Sequence, residues 1–379
     1  MKKLRVMTVF GTRPEAIKMA PVILELKKQE KQFDAITVVT AQHREMLDQV
    51  MAIFNIVPDY DLDIMKKNQT LGDITANVLK LLDGVLEKEK PDIVLVHGDT
   101  TTTFAAGIAT FYRQIPLGHV EAGLRTWDKY SPYPEEMNRQ MTDVLSDLYF
   151  APTNQSKNNL LMENHKDKQI FITGNTAIDA LKETVTNNYQ HQVLDDIDEK
   201  NKLILLTMHR RENLGKPMEQ VFKAVHKIIE QNQDVEIVYP MHLNPKVREI
   251  AKRILGNTAR IHLIEPLNVV DFHNLCAKSY YIMTDSGGVQ EEAPALQKPV
   301  LVLRDTTERP EGVEAGTLRL VGTSQAEVEK NMDLLLNNEK IYQEMAKAKN
   351  PYGDGHASER ILKAISYYFG EEITRPADF

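Results

Sequence analysis

The chain has 379 residues, which is enough for two or three domains of ordinary size. Its 46 Lys and Arg against 54 Asp and Glu give a formal net charge of -8, which argues against a protein that coats nucleic acid. The single cysteine, Cys276, excludes an intrachain disulfide, and no apolar run approaches the roughly 18 residues that a membrane-spanning helix needs. We therefore expect a cytoplasmic protein that binds neither nucleic acid nor a membrane.

Short aliphatic and β-branched runs alternate with amphipathic stretches of helix length, such as Glu15–Gln29 and Thr70–Glu89. The runs are continuously apolar, which is typical of strands buried on both faces of a parallel sheet. The alternation predicts a doubly wound α/β architecture. The predicted strands are Leu4–Phe10, Ala35–Thr40, Ile93–His97, Ile115–Val120, Asp147–Ala151, Ile170–Thr173, Lys202–Thr207, Val235–Tyr239, Ile261–Ile264, Tyr280–Thr284, Pro299–Leu303 and Leu318–Val321.

A polar segment from about Glu183 to Asn201 separates these strands into two equal sets. We interpret it as a linker or peripheral loop near a domain border. The alternative is a surface insertion within one large sheet, but open sheets rarely exceed about ten strands. The sequence therefore predicts two domains.

Ligands of open α/β sheets bind beyond the carboxyl ends of the strands, so the residues after each strand are the candidates for function. After the first strand comes Gly11–Lys18, in which Gly11 permits a tight turn and Pro14 suits the start of a helix. Arg13 and Lys18 add positive charge to a helix start that already favours an anion. A plain strand-to-helix turn is the alternative interpretation, because the segment has neither the P-loop nor the dinucleotide spacing.

Three acidic residues follow strands or begin a helix in the first half of the chain. Asp99 follows the third strand, Glu121 follows the fourth, and Glu135 comes after a loop stiffened by two prolines. Helix capping and complementation of the helix dipole would explain each residue separately. Together the three could converge as a general acid and base.

The second half repeats this arrangement with basic and small residues. His209 and Arg210 follow its first strand and His242 follows its second. The segment Thr284–Glu292 contains a Ser-Gly-Gly sequence that would let a phosphate approach the backbone, although glycine pairs also serve close helix packing. These patterns predict phosphate binding in the second domain, carboxylate chemistry in the first, and a cleft between them.

Seven segments closely resemble the non-hydrolysing UDP-N-acetylglucosamine 2-epimerases of bacteria, in order from about Arg5 to Phe369. The resemblance implies the GT-B fold, in which two Rossmann-like doubly wound domains face an active-site cleft, and a homodimer without cofactor or metal. It implies a first domain of residues 1–175, joined by a C-terminal helix at about 357–379, and a second domain of residues 176–356. The matching segments are Gly11–Lys18, His97–Thr103, His119–Thr126, Ser131–Arg139, His209–Asn213, Thr284–Pro294 and Arg304–Glu311.

The reaction that the resemblance implies interconverts UDP-GlcNAc and UDP-ManNAc, which supplies ManNAc for cell-surface polysaccharide. In this family UDP is eliminated in the anti sense to give 2-acetamidoglucal, and UDP adds again after C2 is protonated from the other face. Asp99, Glu121 and Glu135 match the acid/base positions of the family, and His209 matches a histidine that stabilises the departing phosphate. The substrate-binding positions carried over are Arg13, Lys18, Arg139, His242, Leu267, Phe272, Ser286, Gly287 and Glu292.

Some relatives also bind a second UDP-GlcNAc as an allosteric activator. The corresponding positions here include Gln42, Glu45, Glu135, Arg210 and His242. Two residues depart from the family pattern, because Glu45 replaces a Gln and Asn68 replaces an Arg, which should weaken a diphosphate contact. The competing hypotheses are a hydrolysing epimerase that releases ManNAc and UDP, a GT-B glycosyltransferase with a UDP-sugar donor, and a sugar-nucleotide sensor without activity.

Overall fold

The structure, a computed structural model, describes residues 3–41, 44–66 and 68–379, with the side chains of residues 44 and 45 excepted. The chain folds into two compact units. Unit 1 contains the residues up to Glu183 together with Tyr352–Phe379, and unit 2 contains Thr184–Pro351.

Unit 1 is built on a parallel seven-stranded sheet with the order β3-β2-β1-β4-β5-β6-β7. Its strands are β1 (Leu4–Phe10), β2 (Phe33–Val39), β3 (Tyr60–Asp61), β4 (Ile93–His97), β5 (Leu117–Val120), β6 (Leu148–Ala151) and β7 (Ile170–Ile172). Its helices are α1 (Arg13–Lys28), α2 (Arg44–Ile53), α3 (Leu71–Glu89), α4 (Thr101–Tyr112), α5 (Glu135–Leu145), α6 (Asn154–Met162) and α7 (Thr176–Thr184).

Helices cover both faces of this sheet, which explains why its strands are continuously apolar. Along β1, Val6 and Phe10 belong to a core that also holds residues of α1, whereas Met7 and Val9 belong to a core with residues of α3 and α4. The side chains of one strand therefore enter two cores in alternation.

Unit 2 is built on a parallel six-stranded sheet with the order β10-β9-β8-β11-β12-β13. Its strands are β8 (Lys202–Thr207), β9 (Val235–Pro240), β10 (Ile261–Ile264), β11 (Tyr281–Thr284), β12 (Val300–Val302) and β13 (Leu318–Leu320). Its helices are α8 (Gln192–Asp195), α9 (Lys216–Gln231), α10 (Pro245–Leu255), α11 (Val269–Lys278), α12 (Gly287–Glu292), α13 (Pro310–Glu314), α14 (Gln325–Asn337) and α15 (Glu339–Lys347).

The last helix, α16 (Ala357–Tyr368), belongs to unit 1, where Ile361 and Ile365 are fully buried in the core beside α1. The borders of the units differ from the borders at 175/176 and 356/357 that the family resemblance implies, because residues 176–183 and 352–356 lie in unit 1. Helix α7 buries Ala180 in the core of unit 1, and the backbone N–H of Asn175 donates to the carbonyl of Tyr352 at 2.7 Å. These long-range contacts tie both segments to unit 1.

The predicted fold class of two Rossmann-like α/β domains, as in the GT-B fold, is confirmed. Each of the twelve predicted strands overlaps an observed strand. The prediction missed β3, an edge strand of two residues that is too short to produce a pattern. No helix in the described part of the chain combines the length and the apolar character that crossing a membrane requires.

In both sheets the strand order reverses at one point, between β1 and β4 in unit 1 and between β8 and β11 in unit 2. The loops that leave two such strands run in opposite directions, so a crevice opens beyond their carboxyl ends. In unit 1 this crevice is bordered by Gly11–Lys18 and His97–Thr103, and in unit 2 by the segments that begin at Met208 and at Asp285. Four of the seven predicted segments, Gly11–Lys18, His97–Thr103, His209–Asn213 and Thr284–Pro294, thus lie at the two topological switch points.

Candidate active site

The turn between β1 and α1 is held by Glu15. Thr12 is the N-cap of α1, and the Glu15 carboxylate accepts hydrogen bonds from the backbone N–H groups of Thr12 at 2.7 Å and Gly11 at 3.1 Å. This capping box satisfies amides that the first helical turn leaves without a helical acceptor. A Cβ atom on Gly11 would lie 2.0 Å from the Thr40 hydroxyl, so the close approach of β2 requires glycine there.

Glu15 also joins this turn to the start of α4. Its Oε1 atom lies 2.7 Å from the Thr100 hydroxyl and 3.0 Å from the Thr103 hydroxyl. Burial raises the pKa of the Glu15 carboxyl, and its hydrogen bonds offset this only in part. Glu15 is not among the site residues predicted from the sequence, although the spacing of Thr12 and Glu15 is a capping-box signal.

Asp99 and Arg139, both predicted as site residues, lie together. The Arg139 guanidinium donates to Oδ2 of Asp99 through Nε at 2.9 Å, and its Nη2 lies 2.7 Å from the same oxygen. The Asn138 side chain donates to the backbone carbonyl of Asp99 at 2.9 Å. Helix α5 therefore orients both the carboxylate and the backbone of Asp99.

Glu121 lies at the carboxyl end of β5, and 9% of its side chain is exposed. Its Oε1 atom forms an ion pair with Lys18 and accepts a hydrogen bond from the Asn175 side chain at 2.9 Å. Its Oε2 atom lies 3.5 Å from Nε2 of His97. The structure thus brings together Lys18, predicted for substrate binding, and Glu121, predicted for catalysis, and it adds Asn175 and His97, which were not predicted.

A buried network of charged side chains contacts the backbone next to Asp99. His119, on β5, contacts Asp143 through Nδ1 at 2.6 Å and the carbonyl of Gly98 through Nε2 at 2.7 Å. Asp143 also accepts a hydrogen bond from Arg125 at 2.7 Å. Burial raises the pKa of Asp143, but the charges of His119 and Arg125 hold it below the ordinary value. His119 therefore anchors the backbone just before Asp99.

Glu135 and Glu136 are neighbours with different surroundings. Glu135 is half-buried at the first position of α5. Glu136 is fully buried and accepts hydrogen bonds from the backbone N–H groups of Thr126 at 3.0 Å and Trp127 at 3.1 Å. Glu136 thus holds the loop in place, and Glu135 remains the candidate for chemistry.

The switch point of unit 2 contains a pocket of about 250 Å³. Five residues that the sequence predicts for catalysis or substrate binding contribute to its wall. The rings of two of them, His209 and His242, stack with centroids 5.4 Å apart. The lining residues are Thr207, Met208, His209, Pro240, His242, Pro266, Leu267, Phe272, Ser286 and Val289.

Asp285 orients His209 at the edge of this pocket. The fully buried Asp285 carboxylate accepts hydrogen bonds from the backbone N–H groups of His209 at 3.0 Å and Arg210 at 2.9 Å, and from the Asn213 side chain at 2.9 Å. Burial lowers the pKa of His209, and the charge of Asp285 offsets this in part. Asp285 was missed because its partners are distant in sequence.

Gly287, the first residue of α12, lies near two arginines. A Cβ atom at this position would lie 3.8 Å from the Arg309 guanidinium and 3.9 Å from that of Arg210. Glu292, at the other end of α12, lies 3.4 Å from Nε2 of His273. Two guanidinium groups, paired with Glu308 and Glu291, therefore lie near the Ser-Gly-Gly turn, and Arg309 adds to the residues found from the sequence.

Arg13, Gln42 and Glu45 complete the set of predicted residues. Arg13 is half-buried at the first position of α1. Gln42 lies outside the described residues, and Glu45 lies in α2 with its side chain outside the described part. Among the predicted activator positions, the structure thus describes the surroundings of Glu135, Arg210 and His242.

The family model of the UDP-N-acetylglucosamine 2-epimerases matches residues 25–366 of the chain. The chain belongs to this family. A UDP-N-acetylglucosamine 2-epimerase from Bacillus subtilis is 62% identical over 379 residues, which cover 100% of this chain and 99% of the relative. The family resemblance found in the sequence is thereby confirmed, and members of the family are isomerases.

Solved structures of the family agree in fold. The chain is similar to a crystal structure of a UDP-N-acetylglucosamine 2-epimerase with a TM-score of 0.94 at 59% identity, covering 100% of both chains. It is also similar to the UDP-GlcNAc 2-epimerase from Neisseria meningitidis bound to UDP-GlcNAc, with a TM-score of 0.86 at 50% identity, covering 96% of this chain and 100% of that one.

Proposed function

We propose that this protein reversibly inverts C2 of UDP-GlcNAc to give UDP-ManNAc. Membership of the epimerase family supports this function, as does the binding of UDP-GlcNAc by the Neisseria meningitidis relative. The observation that carries the proposal is Glu121, whose carboxylate is held by Lys18 and Asn175 at the switch point of unit 1. A protein that only binds a sugar nucleotide would not need an acid/base group oriented in this way.

The proposed chemistry is an anti elimination followed by an addition. A carboxylate removes the proton from C2, the electrons of that bond form the C1–C2 double bond of 2-acetamidoglucal, and UDP leaves C1 with the electrons of the C–O bond. A second acid then protonates C2 from the opposite face while UDP bonds to C1 again, so no atom is gained or lost. Asp99, Glu121 and Glu135 are the proposed acid/base residues, and Arg139 orients Asp99.

UDP must be retained while it is detached from the sugar. We assign the pocket of unit 2 to the nucleotide, with Leu267 and Phe272 against the uracil. Ser286 and Gly287 would approach the diphosphate, and Glu292 the ribose. The remaining proposed phosphate contacts are Arg13, Lys18, His209 and His242.

Incubation with UDP-GlcNAc in deuterated water tests the function and its mechanism. We expect UDP-ManNAc that carries deuterium at C2, measured by NMR and mass spectrometry. Epimer without deuterium would refute the elimination mechanism. Release of free ManNAc and UDP would favour the hydrolysing reaction, and no reaction until an acceptor is added would favour a glycosyltransferase.

We also propose a cytoplasmic homodimer that supplies ManNAc for surface polysaccharide. Exposed apolar side chains on the neighbouring helices α4 and α5 support self-association: Phe111 is 57% exposed, Tyr112 72% and Val144 76%. Light scattering after gel filtration should give twice the mass of the chain, and Tyr112→Glu should shift it toward the monomer. A monomer at all concentrations would contradict the dimer.

The activator site remains a separate proposal. A second UDP-GlcNAc would contact Gln42, Glu45, Arg210 and His242, and the acidic Glu45 should make this binding weak. UDP-ManNAc alone should therefore react slowly until UDP-GlcNAc accumulates or is added. Full speed from the first turnover would refute activation.

A further inference from the structure

His97, the last residue of β4, is a buried histidine next to a proposed catalytic carboxylate. Only 4% of its side chain is exposed. Within the described ranges, neither ring nitrogen forms a hydrogen bond. Its Nε2 atom nevertheless lies 3.5 Å from Oε2 of Glu121, close to hydrogen-bond distance. The imidazole is therefore desolvated and faces a strong acceptor.

Neighbouring residues hold both the backbone of His97 and the carboxylate of Glu121 in place. The Thr103 hydroxyl lies 2.6 Å from the His97 carbonyl, and the following residue, Gly98, has a φ of +67°. A Cβ atom on Gly98 would lie 3.5 Å from Oε2 of Glu121, so the strand end approaches the carboxylate closely. Glu121 is held through its other oxygen by Lys18 and Asn175.

The protonation state of His97 follows from its surroundings. Burial lowers the pKa of His97 to about 3, with Glu121 acting against this shift and Lys18 and His119 adding to it. The imidazole is thus neutral at physiological pH and carries one N–H. That proton belongs on Nε2, because a lone pair there would face the lone pairs of the Glu121 carboxylate.

We propose that His97 is a positioning residue for the epimerisation, which donates its Nε2–H to Oε2 of Glu121 when substrate is bound. The hydrogen bond would orient Oε2 of Glu121, as Lys18 and Asn175 orient its Oε1. Catalytic hydrogen bonds are often long in the absence of substrate and shorten when it binds, in accord with the 3.5 Å separation. The inference rests on the proposed function.

Two substitutions distinguish a hydrogen bond to Glu121 from a contribution of the His97 side chain to packing alone. His97→Leu removes the donor and keeps the side chain apolar, whereas His97→Gln places an amide N–H near the position of Nε2. For His97→Leu we expect kcat to fall about 100-fold with little change in KM, because Glu121 is misplaced. The acid limb of the pH–rate profile should move to higher pH by about one unit, because the carboxylate loses a donor that favours its ionised form. His97→Gln should restore much of the rate and the original acid limb.

His262→Leu is the matched control, because His262 is a half-buried histidine on β10, an edge strand of unit 2, where its Nε2 atom lies 2.7 Å from Oε2 of Glu236. It should lower the melting temperature without moving the pH profile. A His97→Leu protein with the rate and acid limb of the wild type would overturn the proposal. A wild-type protein that produces no UDP-ManNAc would refute the proposed function. A wild-type protein that produces UDP-ManNAc, with His97 variants of equal rate and unchanged acid limb, would refute this inference alone.

The unmodified protein offers a test that does not depend on folding of a variant. Two-bond ¹H–¹⁵N correlation spectra of histidine-labelled protein should show His97 as the neutral Nε2–H tautomer from about pH 5.5 to about pH 8.5. The Nδ1–H tautomer, or protonation of His97 within this range, would overturn the proposal.

Discussion

Replacing Glu15 by Gln and by Ala should have opposite consequences for the stability of unit 1. The Thr103 hydroxyl has a single proton and lies 2.6 Å from the carbonyl of His97 and 3.0 Å from Oε1 of Glu15. While Glu15 is ionised, it competes with the carbonyl for this proton. Burial raises the pKa of Glu15, and a protonated carboxyl could donate to the Thr103 hydroxyl and leave the hydroxyl proton to the carbonyl. The amide of Glu15→Gln donates in the same direction and avoids burying a charge.

Glu15→Ala instead removes the acceptor of two backbone N–H groups and of the Thr100 hydroxyl. At about 1 kcal/mol for each lost hydrogen bond, the expected loss of stability is about 3 kcal/mol. Glu15→Gln should be at least as stable as the wild type at pH 8. The only tryptophan, Trp127, lies in unit 1, so denaturant unfolding followed by its fluorescence reports on this unit.

The difference in stability between Glu15→Gln and the wild type should depend on pH. Burial raises the pKa of Glu15 in the folded state, so its contribution to stability is present below the pKa of the unfolded carboxyl, about 4.3, and declines as pH rises through the folded value. The advantage of Glu15→Gln should therefore be larger at pH 8 than at pH 5. A gain in stability of Glu15→Gln that does not depend on pH would refute this reasoning. A loss of stability of Glu15→Gln at pH 8 equal to that of Glu15→Ala would also refute it.

Three further outcomes concern both units. Asp285→Ala should lower kcat about 100-fold, because the backbone of His209 loses the carboxylate that holds it. It should also lower the pKa of His209 further, which histidine NMR would measure. An unchanged titration of His209 would contradict the charge effect assigned to Asp285. Phe272→Ala should weaken binding of UDP by about 1–3 kcal/mol in calorimetry if the ring stacks on uracil, and equal affinity would contradict this placement. Gly11→Ala should lower the melting temperature, because its Cβ atom would collide with the Thr40 hydroxyl, and a variant of normal stability would show that β2 can move away.

The fold was accessible from the sequence because its signals are local. Continuous apolar runs such as Ile93–His97 are imposed by burial on both faces of the sheet, and the strand ends then place Asp99 and Glu121 at the same edge. Asn175 could not be found in this way, because it reaches Glu121 from a loop 54 residues away. The polar segment from about Glu183 begins at the border between the units, whereas the borders at 175/176 and 356/357 that the resemblance implies leave out residues that long-range contacts tie to unit 1.

The residues that hold the site were harder to predict than the residues that would react. Asp285 and His119 act through partners far apart in the chain, and a buried histidine has no distinguishing local pattern. Glu15 is an intermediate case: the capping box with Thr12 is local, whereas its contact with Thr100 spans 85 residues.

Glu121 has a φ of +67°, in the left-handed region that glycine and asparagine adopt readily and that costs other residues roughly 1–2 kcal/mol. The backbone conformation alone would therefore favour glycine or asparagine at this position, although either would lose the ion pair with Lys18. Where a screen for thermal stability or expression does select such a replacement, turnover should be lost with it. Stabilisation of this protein should accordingly exclude position 121 from the design, or score turnover in the same screen.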